Sequence, residues 1–61
     1  MHSADYIWNA FKKTIPGLDE QVSSFRKLGT RDAIVIYFKK GYPLIFTYIN
    51  DKCWMLEPYQ S

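Results

Sequence analysis

Few side chains in this sequence are of a type that carries out reactions. His2 is the only histidine and Cys53 the only cysteine among 61 residues. A histidine at the second position belongs to the loose start of the chain rather than to a nucleophile's partner, so general-base work by His2 is not expected. Cys53 falls in a run of strand-forming residues with no histidine near it in sequence, which reads as a buried, inert apolar thiol rather than an activated thiolate. One cysteine excludes an internal disulfide and falls far short of a zinc ligand set. The six acidic residues stand at helix starts and turns, where capping and solvation account for them, and Asp51 and Glu57 form no recognisable acid pair. No catalytic, cofactor-binding or metal-binding residue is assigned. The chain reads as a non-enzyme with no cofactor and no small-molecule substrate.

Binding chemistry is better represented. Aromatic residues make up 18% of the chain, and basic residues gather at two connections: Arg26, Lys27 and Arg31 at one, Lys39 and Lys40 at the other. A basic rim around an aromatic face is how single-stranded nucleic acid is held, with bases stacking on tyrosines such as Tyr37 and Tyr48 while the cations follow the phosphates. The formal net charge is only +2, no RNP-like motif is present, and a solvated rim that keeps edge strands from pairing accounts for the same residues. A nucleic-acid-binding module is therefore the second reading.

The first reading follows from size. A domain this short buries only about 60% of the surface its unfolded chain exposes, so its core is marginal. With disulfides and zinc set aside, oligomerisation or a bound partner is the remaining support. The longest apolar runs, Ala33 to Phe38 and Leu44 to Phe46, are far below the roughly 18 residues of a membrane span, so no membrane partner is expected. The lone thiol and the lack of a recognisable signal peptide suit a reducing cytoplasm.

The elements that position these residues form a single small α+β domain spanning residues 1–61, with Met1 and His2 loose. In "SADYIWNAFKKTI", Ala4, Ile7, Trp8, Phe11 and Ile15 recur at helical spacing, Ser3 can cap the first amides, and Pro16 and Gly17 end the helix. "LDEQVSSFRKLG" admits two readings. As a second helix it places Leu18, Val22, Phe25 and Leu28 on one stripe with acids first, bases last and Gly29 beyond, and these end signals put the helix ahead. As a strand, residues 22–28 pair with the next strand across "GTRD". From Ala33 onward, "AIVIYFK", "PLIFTYI" and "CWMLE" are three strands of an antiparallel β-meander, four if residues 22–28 are also a strand. Two-residue turns are expected at Lys40-Gly41 and, as type I′, at Asn50-Asp51.

With those turns, Ile36 lies opposite Ile45, Thr47 opposite Trp54, and Ile45 opposite Leu56. One face then carries Ile34, Ile36, Phe38, Ile45, Thr47, Ile49, Trp54 and Leu56. The other carries Ala33, Val35, Tyr37, Leu44, Phe46, Tyr48, Cys53, Met55 and Glu57. Both faces are apolar, unlike an antiparallel sheet that keeps one face for water. The N-terminal helix is expected over the aliphatic face, with Trp8, Phe11, Ile36, Ile45 and Leu56 in the core. Tyr37, Phe46, Tyr48 and Met55 are left as the partner-binding set, either for a homodimer or for docking on a larger protein.

"LIFTYINDKCWMLE", with the preceding "IVIYFKKG", resembles small uncharacterised accessory proteins of bacteriophages and bacterial mobile elements. The resemblance covers the C-terminal half and rests on a hairpin with an Asn-Asp turn followed by Trp. It implies an accessory or host-interacting role exercised by binding, and assigns no functional residue.

Overall fold

In the computed structural model, which describes residues 2–60, the chain becomes helical directly after Ser3. The extended backbone of Ser3 lets its Oγ accept a hydrogen bond from the Tyr6 N–H at 3.1 Å, which caps α1, Ala4–Thr14. Asp5 in the first turn and Lys12 and Lys13 in the last complement the helix dipole. The Ile15 N–H closes the final turn on the Phe11 carbonyl at 2.9 Å. Pro16 cannot continue the ladder, and Gly17, at φ 94°, turns the chain back through a conformation that suits glycine.

Residues 18–28 are not the second helix that their end signals favour. Leu18–Gln21 forms a single 3₁₀ turn, and Val22–Lys27 is strand β1. The register with the next strand shifts between Val22 and Ser24, leaving Ser23 as the extra residue of a β-bulge. That bulge brings Val22 and Phe25, three positions apart, to the same core. A bulged strand thus reproduces the spacing of a helical stripe.

Strands β2 (Ala33–Phe38), β3 (Leu44–Asn50) and β4 (Cys53–Pro58) follow, and all four pair antiparallel in the order β1-β2-β3-β4. The fold is α+β: one N-terminal helix on a four-stranded antiparallel meander. Two registers differ from the expected ones. Ile36 lies opposite Leu44, not Ile45, and Ile34 opposite Phe46, because residues 39–43 make a longer connection with Gly41 at φ 96°. A one-residue slip turns a strand over, so Phe46 and Tyr48 face the helix while Ile45 and Thr47 join Val35 and Ala33 on the far side. Between β3 and β4, Phe46 lies opposite Leu56 and Tyr48 opposite Trp54. This second slip cancels the first and returns Trp54 and Leu56 to the helix side.

The last hairpin also departs from type I′. Its turn residues are Asp51 and Lys52, Asn50 pairs with Cys53, and a bulge falls between Tyr48 and Asn50. Among the described residues no residue other than glycine has positive φ, which a type I′ turn would require at both centres. Asn50 Oδ1 accepts from the Lys52 N–H at 2.8 Å, so a side chain stabilises the turn.

Ile7, Phe11, Ile34, Ile36, Phe46 and Tyr48 form the core, with Trp8, Val22, Phe25 and Phe38 packed at its margin. Phe11 meets Phe46 edge-on at 5.3 Å, and Trp8 stacks on Phe25 at 4.5 Å. Helix α1 packs on β1, β2 and β3. Of the two residues expected to be loose, Met1 lies outside the described residues. His2 is tied down: its N–H donates to Asp32 Oδ1 at 2.8 Å and its ring stacks on Tyr6.

Removing Phe46 should be close to disabling. Phe→Ala in a core costs about 3–5 kcal/mol, against a total stability of roughly 3–9 kcal/mol for a domain this size. Phe46→Ala is expected to be largely unfolded by circular dichroism at 25 °C. Met55→Ala, at an exposed position, should shift the urea midpoint by no more than about 0.5 kcal/mol.

Candidate functional site

β4 is exposed along its whole length. It is an edge strand paired only with β3, and its apolar residues point to both sides: Trp54 and Leu56 toward the helix side, Met55 toward the far side. They remain 37%, 36% and 47% exposed. Ile49, at the bulge beside the turn, is 54% exposed, so the strip continues onto the end of β3. The cause is geometric: a helix about 10 Å across covers two to three strands spaced about 4.8 Å apart. Leu56, expected in the core, is therefore not there but beyond the helix, while Ile45, also expected there, lies on the opposite face because of the register slip between β2 and β3. Between the helix and β4 runs an open groove lined by Ala10, Lys13, Thr14, Asp51 and Trp54.

The face turned away from the helix is organised by Arg26. Its Nε donates to Tyr37 Oη and its Nη2 to Tyr59 Oη, each at 2.9 Å. The guanidinium carbon lies 6.0 Å from the Tyr37 ring centre and 5.5 Å from that of Tyr59. These contacts, the bond to Tyr37 first, raise the Arg26 pKa above its ordinary value. Val35, between Arg26 on β1 and Ile45 on β3, is fully buried although no helix lies over this face. Its strand neighbours close over it. Arg31 and Glu57 form an exposed pair at 4.0 Å, a separation at which such pairs contribute little.

The residues assigned to partner binding are divided between the two faces. Phe46 and Tyr48 are buried under α1, so they support the fold and offer no contact surface. Tyr37 lies half-buried on the far face and engaged with Arg26, while Met55 is exposed there. The basic residues do not form one rim. Arg31 stands in the connection before β2, while Lys39 and Lys40 follow its other end, and Arg26 and Arg31 already have partners. Tyr59 is not picked out by the residue pattern, because Pro58 reads as the end of the strand. Its N–H still donates to the Pro43 carbonyl at 3.0 Å, and counting in twos from Met55 would have placed it beside Tyr37.

Tyr48 has a second role at the helix side. Its hydroxyl donates to Asp51 Oδ1 at 2.8 Å, and its ring meets those of Tyr6 and His2 edge-on. The hydrogen bond to Asp51, and then the neighbouring Tyr6 side chain, push the Tyr48 pKa well up, since ionisation would set a phenolate beside a carboxylate. Asp32 is shifted the other way, its pKa lowered chiefly by the His2 amide hydrogen bond. Among the described residues no group of three or more His, Cys, Asp and Glu side chains could hold a metal ion, and no helix is long and apolar enough to cross a membrane. Compared with known proteins, the chain matches no family model, no curated protein and no solved structure.

A group whose pKa is higher folded than unfolded contributes stability that is present below the unfolded value and lost as pH rises through the folded one. For Tyr48 that loss begins above about pH 10, the ordinary tyrosine value. Urea midpoints measured from pH 7 to 11 should fall more steeply above pH 10 for the wild type than for Tyr48→Phe. At pH 7 the variant should be the less stable of the two.

Proposed function

We propose that this protein is a noncatalytic protein-interaction module whose contact surface centres on β4. One observation carries the proposal: Cys53–Pro58 is exposed throughout although it contains Trp54, Met55 and Leu56. Aromatic residues and methionine are enriched at interface cores, and contiguous apolar surface marks sites of association. The core closes without these residues, since Ile7, Phe11, Ile34, Ile36, Phe46 and Tyr48 already pack together. Met55 stays in the proposed contact set from the sequence reading and Tyr37 borders it, while Trp54, Leu56 and Ile49 are added. A binding role also fits the accessory, host-interacting function that the resemblance of the C-terminal half implies. Cys53, expected to be buried, is exposed because it opens the uncovered edge strand; a free exposed thiol suits a reducing compartment, and on that ground we place the protein in the cytoplasm.

Single-stranded nucleic-acid binding is the second reading. The feature that favours it is Tyr42, 86% exposed in the connection that also carries the exposed Lys39 and Lys40. A stacking ring beside two cations is the minimal form of such a site.

Leu56→Glu and the wild type should give the same circular dichroism spectrum. The variant should lose association, with itself or with another protein, by roughly tenfold or more. Changing salt from 50 to 500 mM should alter wild-type association little, because the contacts are apolar. Unchanged association in Leu56→Glu would overturn the assignment to β4. Binding to a mixed-sequence single-stranded oligonucleotide that collapses over the same salt range would favour the second reading.

A further inference from the structure

The outer edge of β4 has a defined hydrogen-bonding pattern. The Tyr59 N–H points toward β3, donating to the Pro43 carbonyl at 3.0 Å, and the direction alternates residue by residue along an antiparallel strand. Glu57 and Met55 therefore also turn their N–H and C=O groups toward β3. Trp54 and Leu56 turn theirs outward, where no strand among the described residues meets them. Pro58, next in the outward series, has no N–H to offer. The free edge is thus two residues with full donor and acceptor capacity, bounded by a proline.

The opposite edge of the sheet is protected differently. β1 has a bulge at Ser23, whose hydroxyl donates to the Tyr37 carbonyl, and the charged residues Arg26 and Lys27. Bulges and charges of this kind discourage edge pairing. β4 has no charge from Cys53 to Leu56.

Resting on the interaction-module reading, we infer that the partner for β4 is the β4 of a second copy of this chain, paired antiparallel about a two-fold axis at Met55. In this register the outward groups of Trp54 in each copy exchange hydrogen bonds with those of Leu56 in the other. Their side chains meet as apolar cross-strand pairs on the helix side. Met55 faces Met55 on the far side. Charge complementarity selects antiparallel over parallel pairing: β4 has Lys52 just before it and Glu57, which also lies 4.0 Å from Arg31 of its own chain, near its end. Antiparallel pairing sets Lys52 of each copy against Pro58 of the other, next to Glu57, and holds the two Glu57 carboxylates at opposite ends of the ladder. The result is a closed dimer with an eight-stranded sheet, whereas β4 on β1 of a second copy would propagate an open fibre. Both helices lie on one side of the sheet, and the groove between α1 and Trp54 is bordered by the other copy.

The register makes Met55 the one residue of the strand that meets itself, and a charge-swap experiment tests that. Met55→Lys and Met55→Glu are substitutions at an exposed position and are expected to leave the fold intact by circular dichroism. Each alone places like charges opposite one another and should weaken the dimer roughly tenfold or more in sedimentation equilibrium. Mixing the two should restore association. As a second measurement, Met55→Cys in a Cys53→Ser background should form an intermolecular disulfide on mild oxidation, because directly opposed residues of this type have Cα atoms about 4.5 Å apart. Wild-type Cys53 should not link, since four residues of strand hold the two thiols' backbones roughly 13 Å apart.

A wild type that stays monomeric to about 1 mM would overturn self-pairing, and so would a dimer indifferent to charge at Met55 and not linked through Met55→Cys. The interaction-module reading has its own outcomes. A monomer whose binding to another protein is abolished by Leu56→Glu keeps that reading while removing the second copy as partner. A dimer linked through Tyr37→Cys instead moves the contact to the sheet face.

Discussion

One helix has four strands to cover, and the arrangement of the whole molecule follows from that mismatch. Helix α1 spans eleven residues and places Ile7 and Phe11 over the centre of the sheet, where Ile34, Ile36, Phe46 and Tyr48 complete the core. Its width is spent on β1, β2 and β3. The fourth strand is held by its ladder with β3 rather than by burial, and its apolar side chains are left outside. In a larger domain a second helix would occupy that space. Here the segment whose end signals suit a helix is drawn into the sheet as β1, which satisfies its backbone but widens the surface to be covered.

The far face meets the same shortage by another route. No layer packs on it, yet Ala33 and Val35 are fully buried. Arg26 reaches across the sheet to both Tyr37 and Tyr59, and the aromatic rings and the guanidinium together form a lid made of long amphipathic side chains. The charged head stays in water while the stem and rings cover apolar surface. This lid ends before Met55, so the two faces of the molecule converge on the same uncovered strand.

Much of this architecture was legible from the residue pattern. Ser3, the apolar stripe from Ala4 to Ile15 and Pro16-Gly17 define α1, and the β-branched and aromatic runs after Ala33 define three strands. Of the two readings open for residues 18–28, the strand is the one that forms, as β1; the helix drew ahead because the bulge at Ser23 sets Val22 and Phe25 three apart, a spacing that otherwise belongs to a helix. The sheet faces were misassigned for a related reason. Connection lengths determine register, and neither the five-residue path through Gly41 nor the bulge beside Asn50 has a unique signature in residue types. The first slip turned β3 over and the second restored β4, so only in β3 did Phe46 and Tyr48 exchange places with Ile45 and Thr47. That both faces are apolar was readable from the order of residues in the strands, because runs such as Ala33–Phe38 and Leu44–Phe46 place apolar side chains on both sides whatever the register. Which strand would be left uncovered depends on where the helix lies, and that is a property of the folded chain.

The order of the strands in the sheet repeats their order in the chain, and this bears on how the molecule assembles. Each hairpin closes over a short connection, so the entropy lost in forming the sheet is collected in small steps. The distant contacts are those that seat the helix: His2 reaches Asp32, thirty positions away, and Phe11 meets Phe46. The kinetic barrier is accordingly expected at the docking of α1 onto a meander already largely formed. Substitutions in the helix stripe would then act on the folding rate, and those in β4 on how quickly the strand frays.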